Sequence, residues 1–266
     1  MKKTCLVVPC YNESERLDTE AFLGELKLNP NLSLIFVNDG STDGTHLVLK
    51  NLFQQCPTEI HDRIHVIHYK QNQGKATAVQ RGLLWAHSIS LKLPGPSFLG
   101  DCEVLSEGRI DAQYFGFWDA DLATPLAELD WFYHCANQTE PDLLIGSRVA
   151  RLGSNIERTV FRHYSGRLFA TFISQGLGWK VHDTQCGAKV FKGHLIPICF
   201  EKPFKTSWLF DVEMLLRLKN QFGNQATDFI LEVPIRTWKD VKGSKIGWAD
   251  FIKVPYQIWR VFRDYK

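Results

Sequence analysis

The sequence predicts an α/β protein with a mostly parallel central sheet and helices on both faces. Three observations predict it. A buried strand, a polar loop and a helix follow one another three times before residue 91, the rhythm of a sheet with right-handed crossovers. Each of those strands ends in turn-forming or charged residues, where an open α/β sheet places its ligands. The aromatic run Phe115-Gly116-Phe117-Trp118 then stops at two acids one residue apart, Asp119 and Asp121.

Taken in order, residues 5–9 form the first strand, Tyr11-Asn12-Glu13 a loop, and Ser14 is placed to cap a helix to about Lys27. Residues 32–37 are the second strand. It ends in Asn38-Asp39-Gly40-Ser41-Thr42-Asp43-Gly44, turn chemistry followed by a helix to about Gln55. Residues 63–69 are the third strand, 71–75 a loop and 76–90 a helix. The stretch 92–112, punctuated by Pro94, Gly95, Pro96, Gly100 and Gly108, reads as an inserted surface loop, either a lid or an inert insertion. Beyond the acids, Pro125 opens a helix over 126–136. Strands at 142–145, 188–191 and 229–234 alternate with helices ending near Gly176 and Phe222. In the tail Trp248, Phe251, Ile252, Trp259 and Phe262 recur near helical period, and Pro255 splits them into two short helices.

The totals bound the class. The chain of 266 residues buries a full core as one large domain or two small ones. Its 44% apolar and 23% charged residues are ordinary for a globular protein. The net charge of +2 is unevenly spread, since residues 236–266 hold eight Lys/Arg against three Asp. A basic tail carrying aromatics fits either a membrane-surface element or a helix packed on the body. No apolar run reaches the ~20 residues of a membrane-spanning helix, and the first strand begins too early to leave room for a signal peptide. Seven cysteines without a C-x-x-C pair, mostly among apolar neighbours, read as reduced core thiols of a cytosolic protein. G-x-G-x-x-G and the Walker pattern are absent from the sequence.

The candidate site assembles from strand ends. Pro9-Tyr11-Glu13, Asn38-Asp39, Gly74-Lys75 and Asp119-Asp121 all fall there. Strand alternation would turn Asp119 and Asp121 to one side. Two such carboxylates repel unless a cation or donors lie between them. Mg2+ or Mn2+, its shell completed by substrate phosphates, meets that demand. A solvated turn also fits D-x-D. Arg158, Arg162 and Arg167 near a helix start make an anion site or a solvated basic face. Asp211 and Glu213 lie in a helix first turn, where capping alone accounts for them. His61, His65 and His68 read as strand residues, not as metal ligands.

These residues carry a resemblance. Val7-Val8-Pro9-Cys10-Tyr11-Asn12-Glu13, Val37-Asn38-Asp39-Gly40-Ser41-Thr42-Asp43-Gly44-Thr45, Asn72-Gln73-Gly74-Lys75 and Asp119-Ala120-Asp121, in that order, resemble the family 2 glycosyltransferases, whose fold is GT-A, the Rossmann-like nucleotide-diphospho-sugar transferase fold. Gly146-Ser147-Arg148, Asp183-Thr184-Gln185-Cys186-Gly187 and Phe210-Asp211-Val212-Glu213, with Trp238 and Gly243-Ser244-Lys245, resemble the dolichyl-phosphate β-glucosyltransferase branch. The resemblance implies a GT-A domain over 1–235, with a nucleotide-binding half to 121 and an acceptor half from 122, and a helical tail at 236–266. It implies that Pro9, Tyr11, Glu13, Asp39, Gly40, Lys75, Asp119 and Ala120 bind the donor, with Asp39 accepting from the uracil ring. Asp121 with Asp119 would hold the metal, and Arg148 and Arg162 would hold an acceptor phosphate. In the transfer itself, Asp211 or Glu213 would orient the sugar. Asn38 stands where a second acid is common, Gln80 where an arginine is frequent, and Leu122 where a glycine follows the second Asp.

The expected activity is inverting transfer of a hexose, glucose first, from a UDP-sugar to a polyprenyl-type lipid phosphate. The enzyme would lie peripherally on the cytoplasmic face of a membrane, with no nucleic-acid partner. GDP-mannose or UDP-GlcNAc as donor, a non-lipid acceptor, and a non-catalytic sugar-nucleotide-binding protein are the alternatives.

Overall fold

The computed structural model describes residues 2–96, 102–157, 160–241 and 248–265, with side chains left aside at 160–165, 168 and 248–255. Two compact units emerge. The first comprises Met1–Leu122 and Ala188–Pro203, the second Ala123–Gly187 and Phe204–Lys266.

In the first unit the strands are β1 (Thr4–Cys10), β2 (Leu32–Asp39), β3 (Ile64–Tyr69), β4 (Cys102–Leu105), β5 (Tyr114–Trp118) and β8 (Ala188–Lys192). They lie in the order β4-β3-β2-β1-β5-β8. The pairs β1–β2, β2–β3 and β1–β5 are parallel, while β4 and β8 run antiparallel to β3 and β5. The helices are α1 (Thr19–Leu28), α2 (Thr45–Gln55), α3 (Thr58–His61), α4 (Lys75–Ser90) and α7 (Leu195–Phe200). β2 and β3 are buried along their whole length, so they read as apolar runs and not as alternating ones.

Alternation on β2 assigns the faces. Phe36 meets Phe22 of α1 edge to face, with ring centroids 5.2 Å apart. Two residues on, Asn38 sits opposite His68, whose ring lies 4.0 Å from that of His46 on α2. The odd positions turn the other way: at Gly82 of α4 a Cβ would come within 3.0 Å of a Val37 methyl. Helices therefore cover both faces, and Asp39, on the Val37 side, points toward the start of α4.

The second unit contains α5 (Glu128–Ala136), β6 (Leu143–Ser147), β7 (Asn155–Glu157), α6 (Val160–Leu177), α8 (Phe210–Phe222), a 3-10 stretch (Gly223–Phe229), β9 (Ile230–Pro234), β10 (Thr237–Lys239) and α9 (Trp248–Asp264). β6 pairs with β9, and β7 with β10, both in parallel.

Several expectations change. Residues 92–112 are not loop throughout, because β4 adds an antiparallel edge to β3. Four residues between Gly- and Pro-rich turns carry too little period to be seen. The first helix is capped by Asp18, which accepts from Ala21 N–H at 3.0 Å, and not by Ser14, whose N–H and hydroxyl are both held by Asp43. α5 begins at Glu128, after turns closed on Pro125 and Leu126. α9 runs through Pro255 unbroken. A proline removes one backbone donor, and a helix packed on its neighbours tolerates that loss. α9 is packed in this way: Val261 is buried, and the absent Cβ of Gly176 on α6 leaves room for the Phe262 ring, which a Cβ would approach to 2.4 Å.

Candidate active site

In the first unit three strand-end loops are knitted together. After β1, Asn12 takes a left-handed conformation, φ 52°, which an Asn side chain tolerates. Its N–H donates to Ser41 Oγ at 3.0 Å, and its Oδ1 accepts from Thr42 N–H at 2.9 Å. Glu13 N–H donates to the buried Thr45 hydroxyl at 2.8 Å, and the Glu13 carboxylate pairs with Arg16 at 2.8 Å. Asp43 accepts from the N–H and hydroxyl of both Ser14 and Thr45. Burial alone would raise its carboxyl; these four hydrogen bonds outweigh it and bring it down to about 2. The turn after β2 thus holds the turn after β1.

Asp39 holds the third loop. Its two oxygens accept Gln73 N–H at 2.9 Å and Gly74 N–H at 2.7 Å. Burial raises its carboxyl above the usual range, opposed by those two amides and by Arg81. Gly40, next to it, has φ +62°, and a Cβ there would lie 2.3 Å from the Gln71 carbonyl carbon. Only glycine lets the two loops approach so closely. Gly74, φ 90°, precedes α4, whose first residue is Lys75. Lys75 Nζ pairs with Asp119 Oδ1. Pro9 of β1 lies opposite Val37, and Tyr11 is half-exposed on the loop beyond.

β5 ends at Trp118, so the two acids do not continue the strand. Leu122 N–H closes a turn on the Asp119 carbonyl at 3.3 Å, and strand alternation does not govern Asp119 and Asp121. Ala120 between them is buried. Leu122 has φ 49°, a conformation at home in glycine and costing a branched side chain about 1 kcal/mol. The glycine that the family resemblance leads one to expect here would take that conformation without the cost. The other departures have partners too. The Gln80 amide donates to the Phe200 and Lys202 carbonyls at the end of α7, at 2.6 and 2.8 Å. Asn38 Oδ1 accepts from Ser41, and its amide meets His68 Nδ1 at 3.2 Å.

Asp119 and Asp121 are hard oxygen donors, and Asp119 already attracts a cation, the Lys75 ammonium. That chemistry fits Mg2+ or Mn2+. Among the described residues no group of three or more His, Cys, Asp or Glu is arranged to hold a metal. An ion at these carboxylates would take the rest of its shell from substrate oxygens.

In the second unit Arg148 follows β6. Its Nε and Nη2 donate to the two Asp183 oxygens at 2.7 and 2.8 Å, and its backbone N–H adds a third bond at 3.0 Å. Its guanidinium carbon lies 5.7 Å from the Trp238 ring centroid. Arg162 lies in α6, but its side chain is outside the described residues, as is Arg158 altogether; Arg167 is exposed. Asp211 is buried in the first turn of α8. Glu213 reaches back from the same turn. It accepts Lys205 N–H, the N–H and hydroxyl of Thr206, and the Tyr265 hydroxyl. Glu213 therefore fastens the 204–208 loop and the end of α9, a framework duty. The residues that sequence reasoning left without a role are Asp183, quoted only within its motif, and Glu232, which accepts Asp183 N–H at 2.7 Å. A carboxylate inside a polar turn was the visible signal for the first. Glu232 gave none, because an acid in a strand reads as a solvent-facing residue.

Residues 5–88 match the family model described as glycosyl transferase family 2. The dolichyl-phosphate β-glucosyltransferase of Saccharomyces cerevisiae is 29% identical over 263 residues, 94% of this chain and 71% of that one. The human protein of the same name is 27% identical, across 97% of this chain and 72% of its own. Among solved structures, glucosyl-3-phosphoglycerate synthase from Mycobacterium tuberculosis, in complex with Mn2+, UDP-glucose and phosphoglyceric acid, superposes with a TM-score of 0.60 at 16% identity, covering 99% of this chain and 79% of that chain. Another crystal structure of the M. tuberculosis synthase gives the same TM-score at 17% identity. The fold is thus GT-A, and residues 5–88 carry the match to glycosyl transferase family 2.

Proposed function

We propose that the chain moves glucose from UDP-glucose to a polyprenyl-type lipid phosphate, with inversion at C1. The observation that carries this is the near-full-length likeness to dolichyl-phosphate β-glucosyltransferases, which spans the acceptor-half motifs as well as the nucleotide loops. The UDP-glucose and Mn2+ held by the mycobacterial synthase support the donor and the metal.

In this reading Pro9, Tyr11, Glu13, Asp39 and Gly40 shape the nucleoside cradle. Asp39 fixes the Gln73-Gly74 turn and retains acceptor capacity for the uracil N–H, since each carboxylate oxygen takes more than one donor. Asp119 and Asp121 hold Mg2+ or Mn2+, which when bound supplies positive charge to the departing diphosphate. Lys75, at the positive end of α4, places a second cation there. Arg148, with Arg162, binds the acceptor phosphate, and Asp211 orients the sugar.

An acceptor phosphate oxygen forms the new bond to C1 as the bond from C1 to the UDP oxygen breaks, and UDP leaves with that electron pair. The nucleophile is already ionised near neutral pH, so no general base is needed. What the residues supply is alignment of two anions that repel each other, a matter of positioning and charge. None of the described helices is long and apolar enough to cross a membrane. The lipid is reached peripherally, at the cytoplasmic membrane surface, with α9 as the contact.

A melting series with Mn2+ and UDP-glucose, UDP-GlcNAc or GDP-mannose tests the donor. A ligand that binds only the folded chain raises the melting temperature as its concentration rises. UDP-glucose should give the largest rise, and UDP should appear only when a polyprenyl phosphate is added. A larger rise with GDP-mannose would reassign the donor.

A further inference from the structure

The Arg148 guanidinium is held by a two-tier carboxylate relay within the second unit. Asp183 forms the first tier: its Oδ2 accepts Arg148 N–H at 3.0 Å and Nε–H at 2.7 Å, and its Oδ1 accepts Nη2–H at 2.8 Å and Gln185 N–H at 3.1 Å. The pair is largely shielded, with side chains 19% and 10% exposed. Side-on pairing of this kind fixes the plane of a guanidinium as well as its place.

Glu232 forms the second tier. It stands on β9 opposite Ile145 of β6, three residues before Arg148. Its Oε1 accepts Asp183 N–H at 2.7 Å, and its Oε2 accepts His182 N–H and faces His182 Nδ1, both at 3.0 Å. The strand pair that carries Arg148 thus also carries the acid that sets the turn bearing Asp183. Trp238 closes the guanidinium from another side, held by pairing of β10 with β7.

A surface arginine needs no such support, and a loose one is a poor ligand for a phosphate that must meet C1 in line. We infer that Asp183 and Glu232 are positioning residues for acceptor phosphate recognition, acting through the orientation of Arg148. The inference rests on the proposed acceptor role of Arg148. Neither acid touches the reacting atoms in this account.

The test is steady-state kinetics of the full chain with UDP-glucose and a short polyprenyl phosphate, for Arg148→Ala, Asp183→Asn and Glu232→Gln. Asp183→Asn should raise the acceptor KM about 100-fold and Glu232→Gln about 10-fold, the scale of a misplaced substrate group, with the donor KM within about twofold of wild type for both. Glu232→Asp should recover part of the loss. Should Asp183→Asn not fold, Glu232→Gln decides. Equal rises in both KM values, or a lowered melting temperature with both KM values unchanged, would show a merely structural role and overturn the inference. If Arg148→Ala raises the acceptor KM and the acid variants do not, the relay alone fails. If Arg148→Ala leaves that KM unchanged, the acceptor reading itself fails.

Discussion

Lys75 Nζ and the Asp119 carboxylate, 44 residues apart in the chain, form an ion pair between the first residue of α4 and the turn after β5. The ammonium occupies one of the two carboxylates that would ligate a divalent ion. In the proposed reading, lysine and metal would compete for Asp119 until a diphosphate offered the lysine another partner.

Lys75→Met should tighten binding of Mn2+ alone about three- to tenfold, because a nearby cation is removed from the ligand. The same variant should weaken UDP-glucose by a similar factor. Titration of Mn2+ without nucleotide, followed by electron paramagnetic resonance, checks the first part. Weaker Mn2+ binding by the variant would mean that the lysine holds Asp119 in a ligating pose and does not compete for it.

Two backbone positions predict opposite responses to glycine chemistry. Gly40→Ala forces a Cβ to 2.3 Å from the Gln71 backbone at φ +62°, and should cost roughly 2–3 kcal/mol together with donor affinity. Leu122→Gly removes a side chain from φ 49°. Relief of about 1 kcal/mol there offsets the added chain entropy, so stability should stay within about 1 kcal/mol of wild type. Urea unfolding of both variants reads this directly.

Acid should weaken the fold in a defined window. Burial brings His65 down to about 4. Burial, followed by His46, does the same to His68, with Lys50 adding to it and Glu103 opposing. Both histidines are neutral in the folded state and bind protons in the unfolded chain from pH 6.5 downward. Their contribution is complete above about pH 6.5 and is lost as pH falls toward 4. The melting temperature should fall across that window, and His68→Leu should flatten the fall. An unchanged slope in the variant would remove His68 from the account.

The sheet was legible because β1, β2, β3 and β5 are apolar runs that end in polar turns, and burial on both faces leaves that signature. β7 and β10, at three residues each, are too short for a period to show; pairing with each other makes them strands. The first site loops were legible as turn chemistry, and Asp39, Gly40 and Lys75 meet there as neighbours. The occupation of Arg148 by Asp183 was hidden, since the two lie 35 residues apart and only the fold joins them. Glu213 looked like a capping acid in sequence; its third hydrogen-bonding partner, Tyr265, comes from the far end of the chain.

The exposed side of α9 makes its own prediction. Tyr256 and Trp259 are 63% and 56% exposed, and the Arg263 guanidinium carbon lies 4.7 Å from the Trp259 ring centroid. Aromatics flanked by bases suit an anionic bilayer surface, at about 1 kcal/mol per base. A Tyr256→Ser/Trp259→Ser double variant should bind phosphatidylserine vesicles about tenfold more weakly in co-sedimentation at low salt, with its melting temperature unchanged. Equal binding would place the lipid contact elsewhere.

The most direct measurement is transfer of labelled glucose from UDP-glucose to a short polyprenyl phosphate, with Mn2+, by wild type and Asp121→Ala. The account predicts a lipid-linked β-glucosyl phosphate from wild type and at least a thousandfold loss in the variant, about 4 kcal/mol of barrier. A wild-type chain that makes no lipid-linked sugar, or a variant that turns over near normally, would contradict it.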